Sequence, residues 1–224
     1  MHGVNRRDFL ASGAMAAGAA LLPAPVFAQP LGLDARSLRI LEIARREVQR
    51  AGPLLAHRDV VGVLDFGIHS ADQRFHFADL DNGRVRSFRV AHGSGSDPEG
   101  DGWLKRFSNV PGSDATSRGA YITWEVYNGK YGPSVRLGGL DPENSRVLDR
   151  AVVMHPADYC TEAHVQEYGR LGRSNGCFAM SPADFPYALD RLSGGRLLYA
   201  DSLSLGPSGE RASNGRTPLS ARYG

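Results

Sequence analysis

The sequence predicts a mainly β protein, an antiparallel sheet or sandwich with a few flanking helices. Three observations carry that prediction. Short β-branched and apolar runs recur from Val60 onward, two Asn-Gly dipeptides sit between such runs, and 27 glycines and 13 prolines favour a chain of strands and loops over a helical bundle.

The elements follow in chain order. Asp34 can cap a helix running to Ala51, with Leu38, Leu41, Val48 and Ala51 on one stripe and Gly52-Pro53 as its stop. Val60 to Phe66 reads as a strand. Arg74–Phe77 and Val85–Val90 flank Asp81-Asn82-Gly83 as a hairpin, and Tyr121–Tyr127 and Ser134–Leu137 flank Asn128-Gly129 as a second. Ala151–Met154 is a further short apolar strand. Ser181-Pro182-Ala183-Asp184 places a hydroxyl, a proline and an acid as a helix start, with the helix running to about Leu192 and stopping at Gly194-Gly195 before a last strand, Arg196–Ala200. Between the hairpins, His92 to Gly119 is long, Gly-rich and irregular, a length that marks functional loops. The organisation expected is a leader over residues 1–28, an N-terminal helical segment over 29–54, a main domain over 55–202 and a flexible tail over 203–224.

Composition narrows the function classes. The 224 residues carry 26 Lys+Arg against 24 Asp+Glu, with 42% hydrophobic and 22% charged residues, an ordinary globular balance. So even a charge argues against a nucleic-acid binder. Two cysteines can make neither a disulfide-rich scaffold nor an all-cysteine zinc site. At the N-terminus, Arg6-Arg7 followed by Phe9-Leu10, a weakly apolar stretch from Ala11 to Leu22 and Val26-Phe27-Ala28 form a leader of the twin-arginine type, the alternative being an ordinary secretory signal with a chance Arg pair. Either reading expects an exported, periplasmic product with no membrane span.

Phosphate-loop, zinc-protease and nucleophile-elbow motifs are absent from the sequence. His57, His69, His76 and His164 show no ligand spacing and read as surface or core histidines, so no metal site is expected. The informative stretch is Met154 to Met180. A cysteine nucleophile needs a base to take its proton and backbone donors for an oxyanion, and a glycine just before it lets the chain aim those donors. His155 at a strand end and Ser174-Asn175-Gly176-Cys177 supply these residue types, if the fold brings them together.

In these residues and their surroundings the chain resembles the L,D-transpeptidase catalytic domain, the YkuD-like β-sandwich, and within it the murein L,D-transpeptidase branch. The likeness runs in order through Val90-Ala91-His92-Gly93, Phe107 to Ser113, Gly119-Ala120-Tyr121, Tyr127-Asn128-Gly129, Arg150 to His155, Ala157-Asp158-Tyr159 and Tyr168 to Cys177. The resemblance implies Cys177 as nucleophile and His155 as the base that holds the thiolate as an ion pair, its ring oriented by a backbone carbonyl of Pro156 or a neighbour. It implies Gly176 and Cys177 amides at the oxyanion hole, with Ser174 a helper or turn former. It further implies peptidoglycan stem peptides as substrate, no cofactor, and carbapenem-type β-lactams as inhibitors. Arg173, His92, Asn109 and Tyr121 are the expected substrate-groove residues, with Ser113 beside them. Trp103 and Trp124 are expected to serve packing.

The chain departs from the family pattern at Pro156, where glycine is usual, at Asn175, where this branch often has an aromatic, and at Ala179, where many members carry arginine. Read without the resemblance, an exported protein with two cysteines favours a Cys160–Cys177 disulfide. The function expected is therefore transpeptidation through a Cys177 thioester. L,D-carboxypeptidase activity and a non-catalytic, disulfide-bonded peptidoglycan-binding domain remain as alternatives.

Overall fold

The computed structural model describes residues 34–205. The leader over 1–28 and all of the tail beyond Leu205 lie outside the described residues. Among the described residues three α-helices, α1 (Ala35–Ala51), α2 (Glu162–Tyr168) and α3 (Phe185–Leu192), flank eight strands. The strands are β1 (Val60–Asp65), β2 (Phe75–Asp79), β3 (Arg84–Phe88), β4 (Gly119–Gly129), β5 (Gly132–Gly139), β6 (Val153–Pro156), β7 (Phe178–Met180) and β8 (Leu197–Asp201). They form a single sheet in the order β3-β2-β1-β8-β4-β5-β6-β7. Just past β3, Ala91 bridges Ala179 of β7, so the sheet curls until its two edge strands meet. The fold is mainly β, and its two layers are halves of one curled sheet. Pairing is antiparallel except for β1 with β8 and β6 with β7.

Both faces of the sheet are covered, which is why β1 is buried at every position. Its Val60 and Leu64 enter the inner cluster with Phe66, Phe75, Phe77, Met154, Phe178 and the α3 residues Phe185 and Leu192. The alternate Val61 and Val63 pack with Ile40, Leu41, Ile43 and Ala44 of α1. The crossing is close: a Cβ on Gly62 would lie 2.3 Å from the Leu198 side chain. Asp34 caps α1 by accepting the Ser37 N–H at 2.8 Å. Leu41 and Ala51 of the stripe read from sequence are buried and Val48 packs against their cluster, but the inward face differs in part. Leu38 is exposed, and Ile40, Ile43 and Glu47 take the inward face, the last held by Arg46 and Arg50.

Three further boundaries differ from the sequence reading. The β4–β5 turn lies at Lys130-Tyr131, because Gly129 pairs with Gly132 and leaves Asn128-Gly129 inside the strand. Gly132, at φ +84°, supplies the left-handed residue that closes such a loop. Ala151, expected in a strand, sits at φ +52°, and β6 begins only at Val153. Ser181 bonds Asp184 through both its hydroxyl and that residue's N–H, making a separate turn, so α3 starts at Phe185.

Leu203 to Leu205, assigned to the tail by sequence, are fixed. The buried Asp65 carboxylate accepts their three backbone N–H groups, each at 2.8 Å. No helix of the described residues is long and apolar enough to cross a membrane.

Candidate active site

The parallel pairing of β6 and β7 assembles the site. Met154 opposes Phe178 with both side chains in the inner core, and His155 opposes Ala179 on the other face. Alternation puts Cys177, one residue before β7, on the same face as His155 and diagonal to it, within reach of long side chains. The two residues thus share one face of two short strands that are separated in sequence by residues 157–177, the segment that carries α2.

His155 is buried, and its Nδ1 lies 3.0 Å from the Pro156 carbonyl oxygen. A carbonyl can only accept, so Nδ1 carries the proton and Nε2 keeps its lone pair, the form a general base needs. Tyr131 at the β4–β5 tip lies flat on the imidazole, with ring centroids 4.3 Å apart and planes 19° off parallel. Burial holds the His155 pKa below the ordinary histidine value, and the Pro156 bond opposes that only in part. Burial likewise pushes the Cys177 thiol up, against opposing contributions from the Val153 amide and Arg150. Both shifts favour a neutral thiol beside a neutral imidazole, rather than the ion pair implied by the resemblance. The Cys177 thiol points at the Ala151 carbonyl, 3.7 Å away.

The Ser174–Cys177 turn is tightly set. The Ser174 hydroxyl donates to the Cys177 carbonyl at 2.7 Å and accepts the Gly176 N–H at 3.2 Å. The Gly176 amide, expected at an oxyanion hole, is therefore occupied, which leaves the Cys177 N–H as the donor in this turn. Gly176 stands at φ +108°, where an added Cβ would meet the Ala115 carbonyl at 2.8 Å and the Arg150 Nη2 at 3.2 Å. Only glycine fits there without strain.

The remaining sequence-predicted residues support the site rather than line it. His92 is buried. Its Nδ1 accepts from the fully buried Arg74 at 2.7 Å, and its Nε2 faces Asp97 Oδ2 at 3.5 Å. The Asp97 carboxylate in turn accepts the N–H groups of Gly100, Asp101 and Gly102, so this cluster orders the Gly-rich loop. That loop holds the Ser174–Cys177 turn directly, since Ser174 N–H donates to the His92 carbonyl and Ser94 N–H to the Ser174 carbonyl. Arg173 donates to the Asp97 carbonyl. Asn109 ties the Pro142–Arg146 turn through three bonds. Tyr121 is buried and donates to the Ser117 carbonyl at 2.6 Å. Ser113 lies at 3.4 Å from Arg150. Trp103 packs on His69, and Trp124 covers Gly138.

The sequence reading missed Tyr131, Arg150 and Ala151. An aromatic at a hairpin tip and an arginine in a turn look like ordinary surface, and nothing in the sequence marks Ala151 as left-handed. Both cysteines are free: Cys160 donates to the Ala179 carbonyl at 3.3 Å, away from Cys177. Among the described residues no group of three or more His, Cys, Asp or Glu could hold a metal ion.

A cysteine and a histidine whose Nε2 keeps its lone pair share one sheet face beside a turn that only glycine fits, the residue types that a thiol nucleophile and its base would need. Residues 36–200 match the model of the L,D-transpeptidase catalytic domain, and the chain belongs to that family. A comparison with curated proteins returns no match. Solved structures similar to the chain include an L,D-transpeptidase from Mycobacterium smegmatis, at 18% identity and TM-score 0.40 over 64% of this chain and 58% of that one. Another is an L,D-transpeptidase from Mycobacterium tuberculosis H37Rv, at 15% and 0.42 over 64% and 57%. A third is an L,D-transpeptidase in complex with imipenem, at 16% and 0.38 over 63% and 58%. The chain thus spans under three fifths of each of these structures, and the family match carries the assignment.

Proposed function

We propose that the chain is an exported L,D-transpeptidase that works as a cysteine acyltransferase on peptidoglycan stem peptides. Cys177 Sγ attacks the carbonyl of the L-centre of the third stem residue while His155 Nε2 takes the thiol proton. Because thiol and imidazole are both neutral at rest, this transfer accompanies attack. The Cys177 N–H faces the developing oxyanion. Collapse breaks the peptide bond, and the proton on His155 passes to the departing amine of terminal D-Ala. A side-chain amine of a second stem then attacks the thioester and gives a 3→3 crosslink; water in its place would give L,D-carboxypeptidase activity. The Arg6-Arg7 leader supports export to the periplasm.

The observation that carries this reading is the shared sheet face of Cys177 and His155, with Nδ1 committed to the Pro156 carbonyl. The test is intact-mass spectrometry after incubation with imipenem. A one-drug mass gain in the parent protein and none in Cys177→Ala is expected. Absence of an adduct on the reduced parent protein would overturn the reading.

A further inference from the structure

Arg150 occupies an unusual position for a side chain in a turn. Its Nη1 donates to the Ser108 carbonyl at 2.8 Å and meets the Ser117 hydroxyl at 2.6 Å, while Nη2 donates to the Ala115 carbonyl at 2.5 Å and faces Ser113 Oγ at 3.4 Å. Every one of these partners is neutral, and no ion pair among the described residues involves Arg150. The same Nη2 and the Ala115 oxygen it grips are the two groups that close around Gly176. Thr116, between them, accepts the Gly93 N–H and reaches the Gly176 carbonyl at 3.5 Å. One residue further on, Ala151 takes a left-handed backbone, which an alanine adopts at a cost, and turns its carbonyl to the Cys177 thiol. A half-buried cation that makes no ion pair among the described residues, with Asp114 acting on it only through space, therefore stands against the backbone of the residue before Cys177.

We propose that Arg150 is a positioning residue for the nucleophile. It fixes the 108–117 loop against Gly176, and it supplies the positive charge beside which the Cys177 thiolate forms. The thiolate part stands on the chain alone; its extension to the oxyanion of an acyl-transfer intermediate rests on the function proposed above. The charge matters because a fixed cation in a partly water-excluded site acts on a nearby anion far more strongly than in bulk water. It also offsets the absence of arginine at Ala179, whose side chain is buried in the apolar cluster with Ala91 and Cys160. The other titratable groups facing this region are Tyr159, His155 and the Tyr131 stacked on it, on the Cys177 side, and Asp114 and Tyr121 near Arg150.

The test is the pH dependence of Cys177 alkylation by iodoacetamide, followed by mass spectrometry in the parent protein and in variants. Arg150→Met is expected to raise the alkylation midpoint by about one pH unit, or roughly tenfold less thiolate at a given pH. Arg150→Lys, which keeps the charge, should restore most of that shift. Ser117→Ala, which removes a partner of the guanidinium and leaves the cation, should not move the midpoint. The same comparison in a His155→Ala background removes the imidazole titration from the curve. If Arg150→Met does not fold, Arg150→Gln retains hydrogen-bond donors without the charge and is read in the same way. A lowered melting temperature with an unmoved midpoint would reduce Arg150 to a structural brace and overturn the proposal, as would an equal shift in Ser117→Ala. Alkylation reads the thiol alone, so a failure of imipenem to acylate would sink the proposed function and leave this test standing.

Discussion

Acid should unfold this domain in a pH range where most carboxylates are still ionised, and two histidines are the reason. His92 is buried between Arg74 and Asp97, and desolvation, aided by the Arg74 charge, pushes its pKa down to about 4. His76 is buried on β2, with Nδ1 2.7 Å from Ser87 Oγ and Nε2 3.4 Å from Arg36, and desolvation followed by the Arg36 charge lowers it to about 3. An unfolded histidine titrates near 6.5. The unfolded chain therefore binds protons that the folded chain refuses, and stability present above about pH 6.5 is lost as pH falls toward the folded values. At pH 5 each histidine costs roughly 2 kcal/mol, and the two together about 4 kcal/mol, a large fraction of a typical domain's stability. The raised pKa of Asp65 works in the opposite sense and offsets part of this loss.

The measurement is urea denaturation at pH steps between about 7 and 4.5, with the slope of unfolding free energy against pH as the readout. Below pH 6, His92 and His76 together should contribute a slope approaching two protons, or about 2.7 kcal/mol per pH unit, with the lowered His155 pKa adding to it and Asp65 offsetting part of it. Replacing one histidine by a side chain that does not titrate, as in His92→Asn, should lower the slope by about one proton whatever it does to stability at pH 7. A flat profile between pH 6.5 and 5, or an unchanged slope in His92→Asn, would refute the reasoning.

Other outcomes follow from the site and its supports. Gly176→Ala must accept a positive φ and a contact of 2.8 Å with the Ala115 carbonyl, so it should lose about 1–3 kcal/mol of stability or shift the nucleophile turn; thermal melting and imipenem acylation, both reduced, would show it. Tyr131→Ala uncovers His155 and admits water, so the imidazole pKa should rise toward its ordinary value in an NMR titration, with stacking worth about 0.5–1.5 kcal/mol removed. An unmoved titration would show that Tyr131 does not shield the base. Asp65→Ala strips the acceptor from three backbone N–H groups at Leu203–Leu205 and should cost about 1–3 kcal/mol, with faster hydrogen exchange confined first to that segment.

What the sequence reveals, and what it hides, follows from the range over which each signal acts. β1, β8 and both hairpins were legible because their residues alternate or cluster over five or more positions and are bounded by Gly-rich turns. β6 and β7 hold four and three residues, too few for a period, and they pair in parallel through α2, which buries no residue and so leaves no apolar stripe in the sequence. Cys177 and His155 could be named from residue type and from the family pattern, but their common face is a property of that register alone. The shift of the second turn from Asn128-Gly129 to Lys130-Tyr131 has the largest consequence. Had Asn-Gly closed the hairpin, the strands would end two residues earlier and Tyr131 would fall within β5 instead of at the tip. The positive φ of Gly132 moves the turn forward and sets the tyrosine on the imidazole. The stiff ring then does for His155 what Ser174 does for the nucleophile turn: it removes a degree of freedom from a group that must meet its partner in one orientation. The arrangement of His155 and Cys177 is in this sense written in two glycines, Gly132 and Gly176, whose roles appear only when the strands they join are seen side by side.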